Sequence, residues 1–189
     1  MQKSESVKAT LAALFVLALW AVFISISYLV TIVLQFPQKL ELPLAVRVIG
    51  LLTSLTGLLL FVWLIEYRKP VDVLISSYAT FTKMVKRIPL EERLGRSEPL
   101  VVKGPYRYVR HPLYAGVLLL ASGLWLWFDN TSLLFTTLLF LVWFNFVVTP
   151  FEEKELNAIF GSDYEQYKRR VSKMIPVPKR SDSGNRSEC

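Results

Sequence analysis

Pro112–Pro150 reads PLYAGVLLLASGLWLWFDNTSLLFTTLLFLVWFNFVVTP. Two apolar runs, Leu113–Phe128 and Ser132–Thr149, flank the tripeptide Asp129-Asn130-Thr131. Each run is close to the roughly 20 apolar residues needed to cross a bilayer core. Asp and Asn between them are turn residues. The pattern therefore predicts an antiparallel membrane hairpin. Pro112 suits the first helical position, where its missing N–H costs nothing. Trp125, Trp127 and Trp143 lie toward span ends, as interfacial aromatics do.

Working outward, two more apolar runs precede the hairpin. Val7 to Phe36 carries no charge after Lys8 and exceeds the length of a signal-peptide core. Leu44 to Ile65 follows the break at Phe36-Pro37-Gln38-Lys39 and stops at Glu66-Tyr67-Arg68-Lys69-Pro70. The expected fold class is all-α, an integral membrane bundle of about four transmembrane helices. The composition agrees: 53% of the 189 residues are hydrophobic, and the mean hydropathy is +0.41, too apolar for an ordinary soluble domain. Val71–Met84 could form a surface helix with Val71, Leu74, Ile75, Tyr78 and Phe81 on one face. After Pro150, Leu156, Phe160, Tyr164, Tyr167 and Val171 recur at helical spacing. Gly161 predicts a bend between two short amphipathic helices, and Ser162-Asp163-Tyr164-Glu165 reads as a capping box for the second. The tail beyond Pro178 is expected to be disordered. The expected organisation is 1–69 as two N-terminal spans, 70–97 as a connecting segment, 98–178 as a cofactor-binding part containing the hairpin, and 179–189 as a tail.

Charge sets the expected orientation. With four spans, both termini share a side with the 71–110 segment. That side carries 20 of the 22 Lys and Arg residues, leaving only Lys39 and Arg47 opposite. The positive-inside rule places the termini and the long loop in the cytosol. The net charge of +7 is then a membrane-surface feature rather than a sign of nucleic-acid binding. One Cys, Cys189, and one His, His111, exclude an internal disulfide and a Cys/His metal site of three or four ligands. Arg186-Ser187-Glu188-Cys189 is not a C-a-a-X box.

The hairpin brings two polar clusters together on the cytosolic side. One is Gly104-Pro105-Tyr106-Arg107-Tyr108-Val109-Arg110-His111-Pro112-Leu113-Tyr114-Ala115-Gly116; the other is Glu152-Glu153 with the helices that follow. Taken singly, each residue has a bland reading. Arg107 and Arg110 suit lipid headgroups, and His111 could cap the third span. Glu152 and Glu153 would complement a helix N-terminus, and Tyr106, Tyr108 and Tyr114 suit the interface.

In combination, these stretches resemble the isoprenylcysteine carboxyl methyltransferase family, within the wider group containing phosphatidylethanolamine N-methyltransferases. The resemblance rests on Leu100-Val101-Val102-Lys103-Gly104-Pro105-Tyr106, on Arg110-His111-Pro112-Leu113-Tyr114-Ala115-Gly116, and on Glu152-Glu153 through Leu156, Phe160-Gly161, Tyr164, Tyr167 and Val171 to Pro176. It covers about Glu98 to Pro176. It implies a membrane methyltransferase using S-adenosylmethionine without a metal, on a lipid or lipidated acceptor drawn from the bilayer. It also implies site roles. Glu98, Pro99, Leu100 and Val101 would wrap the nucleoside, Tyr106 would pack on the cofactor, and His111, Pro112, Leu113 and Tyr114 would line its pocket. Glu152 would bind its ammonium or ribose hydroxyls. The family's prenylcysteine enzymes tend to carry an Arg shortly before the Glu pair; Phe146-Val147-Val148-Thr149-Pro150-Phe151 has none. Other readings left open by the residues are a nicotinamide-dependent membrane reductase of the sterol type and a non-enzymatic membrane subunit.

Overall fold

The computed structural model describes residues 2–69, 78, 82 and 100–177. Among them the elements are α1 (Gln2–Val33), α2 (Leu44–Ile65), a 3₁₀ turn (Gly104–Arg107), α3 (Pro112–Phe128), α4 (Thr131–Trp143), a π-helical segment (Phe144–Val148), α5 (Thr149–Phe160) and α6 (Ser162–Arg170). The all-α architecture matches the apolar patterning. Among the described residues, three helical stretches are long and apolar enough to cross a membrane: Thr10–Val33, Leu44–Ile65 and Thr131–Phe160. The fourth, α3, has 17 residues, about 25 Å at 1.5 Å per residue. It is shorter than a typical hydrocarbon core of about 30 Å. Of the proposed surface helix over Val71–Met84, all but Tyr78 and Thr82 lie outside the described residues, as do Glu98, Pro99 and the stretch from Pro178 onward.

Small residues determine how α2 meets α3. Gly50, Ser54 and Gly57 are buried at four- and three-residue spacing on one face of α2. A Cβ on Gly57 would come within 2.8 Å of the Leu120 nitrogen and 2.9 Å of the Gly116 oxygen, and one on Gly123 would collide with Ser54. In lipid, where apolar surface alone does not drive helices together, such close backbone approach supplies the packing. On the other side of the hairpin, α1 meets α4 through aromatic rings and hydroxyls. Phe140 packs on Trp20 and Phe23 at 4.8 and 5.2 Å between centroids. Ser132 donates to Thr31 at 3.1 Å, and Thr31 donates back to the Ser27 carbonyl. Ser132 and Thr31 thus satisfy their hydroxyls within the protein, as a water-free bilayer core favours.

The connection between α3 and α4 forms as expected. Asp129 adopts a left-handed conformation at the end of α3, and the Asn130 side chain caps α4 by accepting from the Leu133 N–H. Asp129 also accepts from Leu40 and Leu42 N–H, so the two loops at this membrane face hold one another. At the other face Gly161 bends the chain between α5 and α6, with φ 52° and ψ −123°, a conformation open essentially to Gly. The expected capping box does not form. Gly161 itself is the N-cap and no side chain caps the helix. Ser162 lies one position too far along, inside the first turn, where Asp163 and Glu165 complement the helix dipole.

Candidate functional site

The chain reaches α3 through a segment held by residues about 60 positions later. Val109 pairs with Ser172 in a parallel bridge. The Arg110 N–H donates to the Ser172 carbonyl at 2.8 Å and the His111 N–H to the Lys173 carbonyl at 3.0 Å. The Tyr167 hydroxyl donates to the Tyr106 carbonyl at 2.6 Å, which fixes the 3₁₀ turn against α6. The C-terminal residues thus strap the entry of α3 against the exit of the hairpin.

Arg110 is the electrostatic centre of this strap. Its Nε and Nη2 both donate to Glu153 Oε1, at 3.2 and 2.6 Å. Its Nη1 donates to the carbonyls of Lys168 and Val171. Lys168 Nζ lies 3.2 Å from Glu153 Oε2. The Arg110 side chain is only 7% exposed, so it is no headgroup anchor. The neighbouring Arg107, by contrast, is exposed. A planar guanidinium satisfies one carboxylate and two carbonyls together, a task its geometry suits and an ammonium cannot match.

Glu152, one residue earlier, faces a different set. Its Oε1 accepts from the Tyr114 hydroxyl at 2.6 Å, and its Oε2 lies 3.3 Å from His111 Nδ1. His111 is buried and does not cap α3 with its side chain. Its Nε2 lies 3.5 Å from Glu153 Oε1 without making a hydrogen bond and has no other partner among the described residues. Burial alone would lower the imidazole pKa, but the Glu152 and Glu153 carboxylates beside the ring outweigh it and hold it above the ordinary value. The protonated ring carries two donors: Nδ1 is directed at Glu152, while Nε2 faces Glu153 Oε1 at the longer distance. Behind it runs a column of rings: His111 on Tyr114, Tyr114 on Phe144 at 4.6 Å, and Phe144 on Phe140.

The π segment is what turns Glu152 toward this column. In a continuous α-helix, eight residues at about 100° each would leave Glu152 about 80° from the Phe144 direction. One extra residue in a wide turn removes about 100°, bringing Glu152 to within about 20° of Phe144. Pro150 has no N–H to continue the regular ladder. The Thr149 N–H and hydroxyl both turn back to the Phe144 carbonyl, the hydroxyl at 2.7 Å.

The structure therefore brings together His111, Tyr114 and Glu152, with Pro112 buried at N1 and Leu113 packed against the core. Tyr106 is half-buried and tied to α6. Leu100 and Val101 are half-buried where the described chain resumes, while Glu98 and Pro99 fall outside it. Sequence reasoning missed the separate roles of the two glutamates, with Glu153 committed to Arg110 and Lys168. It also missed Lys173 altogether. Helical position could have separated the glutamates only with the π segment known.

No solved structure matches this chain. The family model for phospholipid methyltransferases matches residues 45–163. Among curated relatives, a probable protein-S-isoprenylcysteine O-methyltransferase of Oryza sativa subsp. indica is 30% identical over 144 residues, 67% of this chain and 72% of the relative. The protein-S-isoprenylcysteine O-methyltransferase of Schizosaccharomyces pombe is 39% identical over 80 residues, 41% of this chain, which spans only 33% of that relative. Methanethiol S-methyltransferase 1 of Bradyrhizobium diazoefficiens is 38% identical over 73 residues, 38% of this chain and 24% of the relative. Joined with the apolar helices and the hairpin that carries the His111–Glu152 pair, these matches establish that the chain is a membrane protein belonging to the phospholipid methyltransferase family.

Proposed function

We propose that this protein is an S-adenosylmethionine-dependent methyltransferase acting on the head group of a lipid or lipidated acceptor, with its site at the cytosolic face. The observation that carries the reading is the His111–Glu152–Tyr114 cluster at the mouth of the α3–α4 hairpin. The buried His111 Nε2, which makes no hydrogen bond and lies 3.5 Å from Glu153 Oε1, is a donor suited to the cofactor's carboxylate. Glu152 accepts one bond on each oxygen and retains lone pairs for an ammonium or ribose hydroxyls. Tyr106 offers a half-buried ring for the nucleoside. When bound, the cofactor supplies an electrophilic methyl on a cationic sulfonium. The protein's part is to orient donor and acceptor in line and to exclude water. A carboxylate or thiolate acceptor already carries its nucleophile and needs no base. Glu98, Pro99, Leu100 and Val101 complete the proposed cofactor wall. The 20 Lys and Arg on the loop-and-termini side support a cytosolic site.

Calorimetry with S-adenosylhomocysteine on protein in nanodiscs tests the cofactor. Binding is expected for the wild type and lost, by at least tenfold in affinity, for Glu152→Gln and His111→Ala with the fold intact. Binding of NADPH in its place would overturn the assignment. The relatives' names point to two acceptor chemistries, a prenylated cysteine carboxylate and a small thiol. Radiolabelled methyl transfer to a farnesylcysteine derivative against methanethiol separates them. Transfer only to water-soluble acceptors would refute the lipid-linked reading.

A further inference from the structure

Lys173 sits at the junction of the three pieces that shape the site. Its carbonyl accepts the His111 N–H at 3.0 Å. Its ammonium donates to the Asn145 carbonyl at 2.9 Å and reaches the Asn145 side-chain oxygen at 3.4 Å. The Asn145 carbonyl is orphaned by the local sequence. The Thr149 N–H, its α-helical partner, goes instead to Phe144. The wide-turn partner five residues along is Pro150, which has no N–H. An unpaired carbonyl in an apolar surrounding is costly, and the half-buried ammonium satisfies it with a charge-assisted bond.

We propose that Lys173 is a positioning residue that clamps the π segment of the hairpin to the segment entering α3, and so holds Glu152 and His111 at cofactor-binding distance. This rests on the cofactor reading above. The main chain of Lys173 fixes the backbone of His111, and its side chain fixes the wide turn that directs Glu152 to the same face. One residue thereby couples the two halves of the site without touching the bound molecule. The chain has no Arg on the approach to Glu152, between Phe146 and Phe151, so the cation at this wall of the hairpin comes from the C-terminal strap.

The clamp is tested on the full chain in nanodiscs, using Lys173→Met, Lys173→Gln and Lys173→Arg. Two readouts apply: S-adenosylhomocysteine affinity, and dipolar broadening between nitroxides at Phe146→Cys and Ile175→Cys in a Cys189→Ser background. Both label sites are exposed. The neutral Met and Gln variants are expected to loosen the spin separation and weaken binding by roughly tenfold. The Arg variant should restore both to within about twofold. An unchanged spin separation in the neutral variants overturns the clamp. A loosened separation with unchanged affinity overturns the positioning role. An Arg variant as impaired as Met overturns the assignment to a cationic donor. If the wild type binds no S-adenosylhomocysteine, the cofactor reading fails, and the spin separation alone decides the clamp.

Discussion

Replacing Arg110 by Met removes the cation that joins α3, α5, α6 and the C-terminal strap. Glu153 would keep Lys168, at 3.2 Å, and the more distant His111 ring, at 3.5 Å, and the Lys168 and Val171 carbonyls would lose their shared donor. Both side chains are shielded, at 7% and 12% exposure, so solvent screening gives little relief. Breaking such a pair by removing one partner costs about 3–5 kcal/mol, most of it from stranding the other charge. For a chain of this size that corresponds to a fall in Tm on the order of 10 °C. Intrinsic tryptophan fluorescence during thermal unfolding in one fixed detergent would read it. Arg110→Lys is expected to recover only part of the loss, because one ammonium cannot serve the carboxylate and both carbonyls. Arg110→Met with Glu153→Gln should be less destabilised than Arg110→Met alone, since no charge is then stranded. If Arg110→Met costs under about 1 kcal/mol, the ion pair is a peripheral contact and the strap is held by other means.

Two more outcomes follow from the site. The His111 pKa is raised in the folded protein by Glu152 and Glu153. Its contribution is therefore fully present below the unfolded value of about 6.5 and is lost as pH rises through the folded value. Thermal stability should decline over that window in the wild type and show no such decline in His111→Gln; a matching decline in both would locate the titration elsewhere. Inserting one Ala after Val148 turns Glu152 by about 100° and should abolish S-adenosylhomocysteine binding. Deleting Phe146 allows a continuous α-helix with Glu152 still facing the ring column, so binding should survive within about tenfold. Equal loss in both variants would refute the register argument.

The spans were legible because hydropathy and length suffice for them, and the Asp129-Asn130 turn because its residues permit little else. The neighbourhood of His111 and the glutamate pair followed from hairpin geometry alone. Which glutamate meets Tyr114 and which meets Arg110 did not follow, because a single wide turn rotates everything downstream and Pro150 signals only that the regular ladder is interrupted. Arg110 looked like a surface residue because no local pattern reveals partners at 153, 168 and 171. Lys173 was invisible for the same reason: its two bonds reach back 28 and 62 positions. The capping box failed on register, since Gly161 takes the N-cap position and displaces Ser162 into the helix.

The pairing of Val109 with Ser172 has a consequence for biogenesis. A ribosome feeding this chain into the membrane releases the Arg110 segment long before the residues that satisfy it. Until the segment around residue 173 has emerged, a cation destined for burial waits at the bilayer edge with its acceptors still unmade. A premature stop anywhere between α5 and that point would leave the apolar helices made and the partners of Val109, Arg110 and His111 on the C-terminal strap missing.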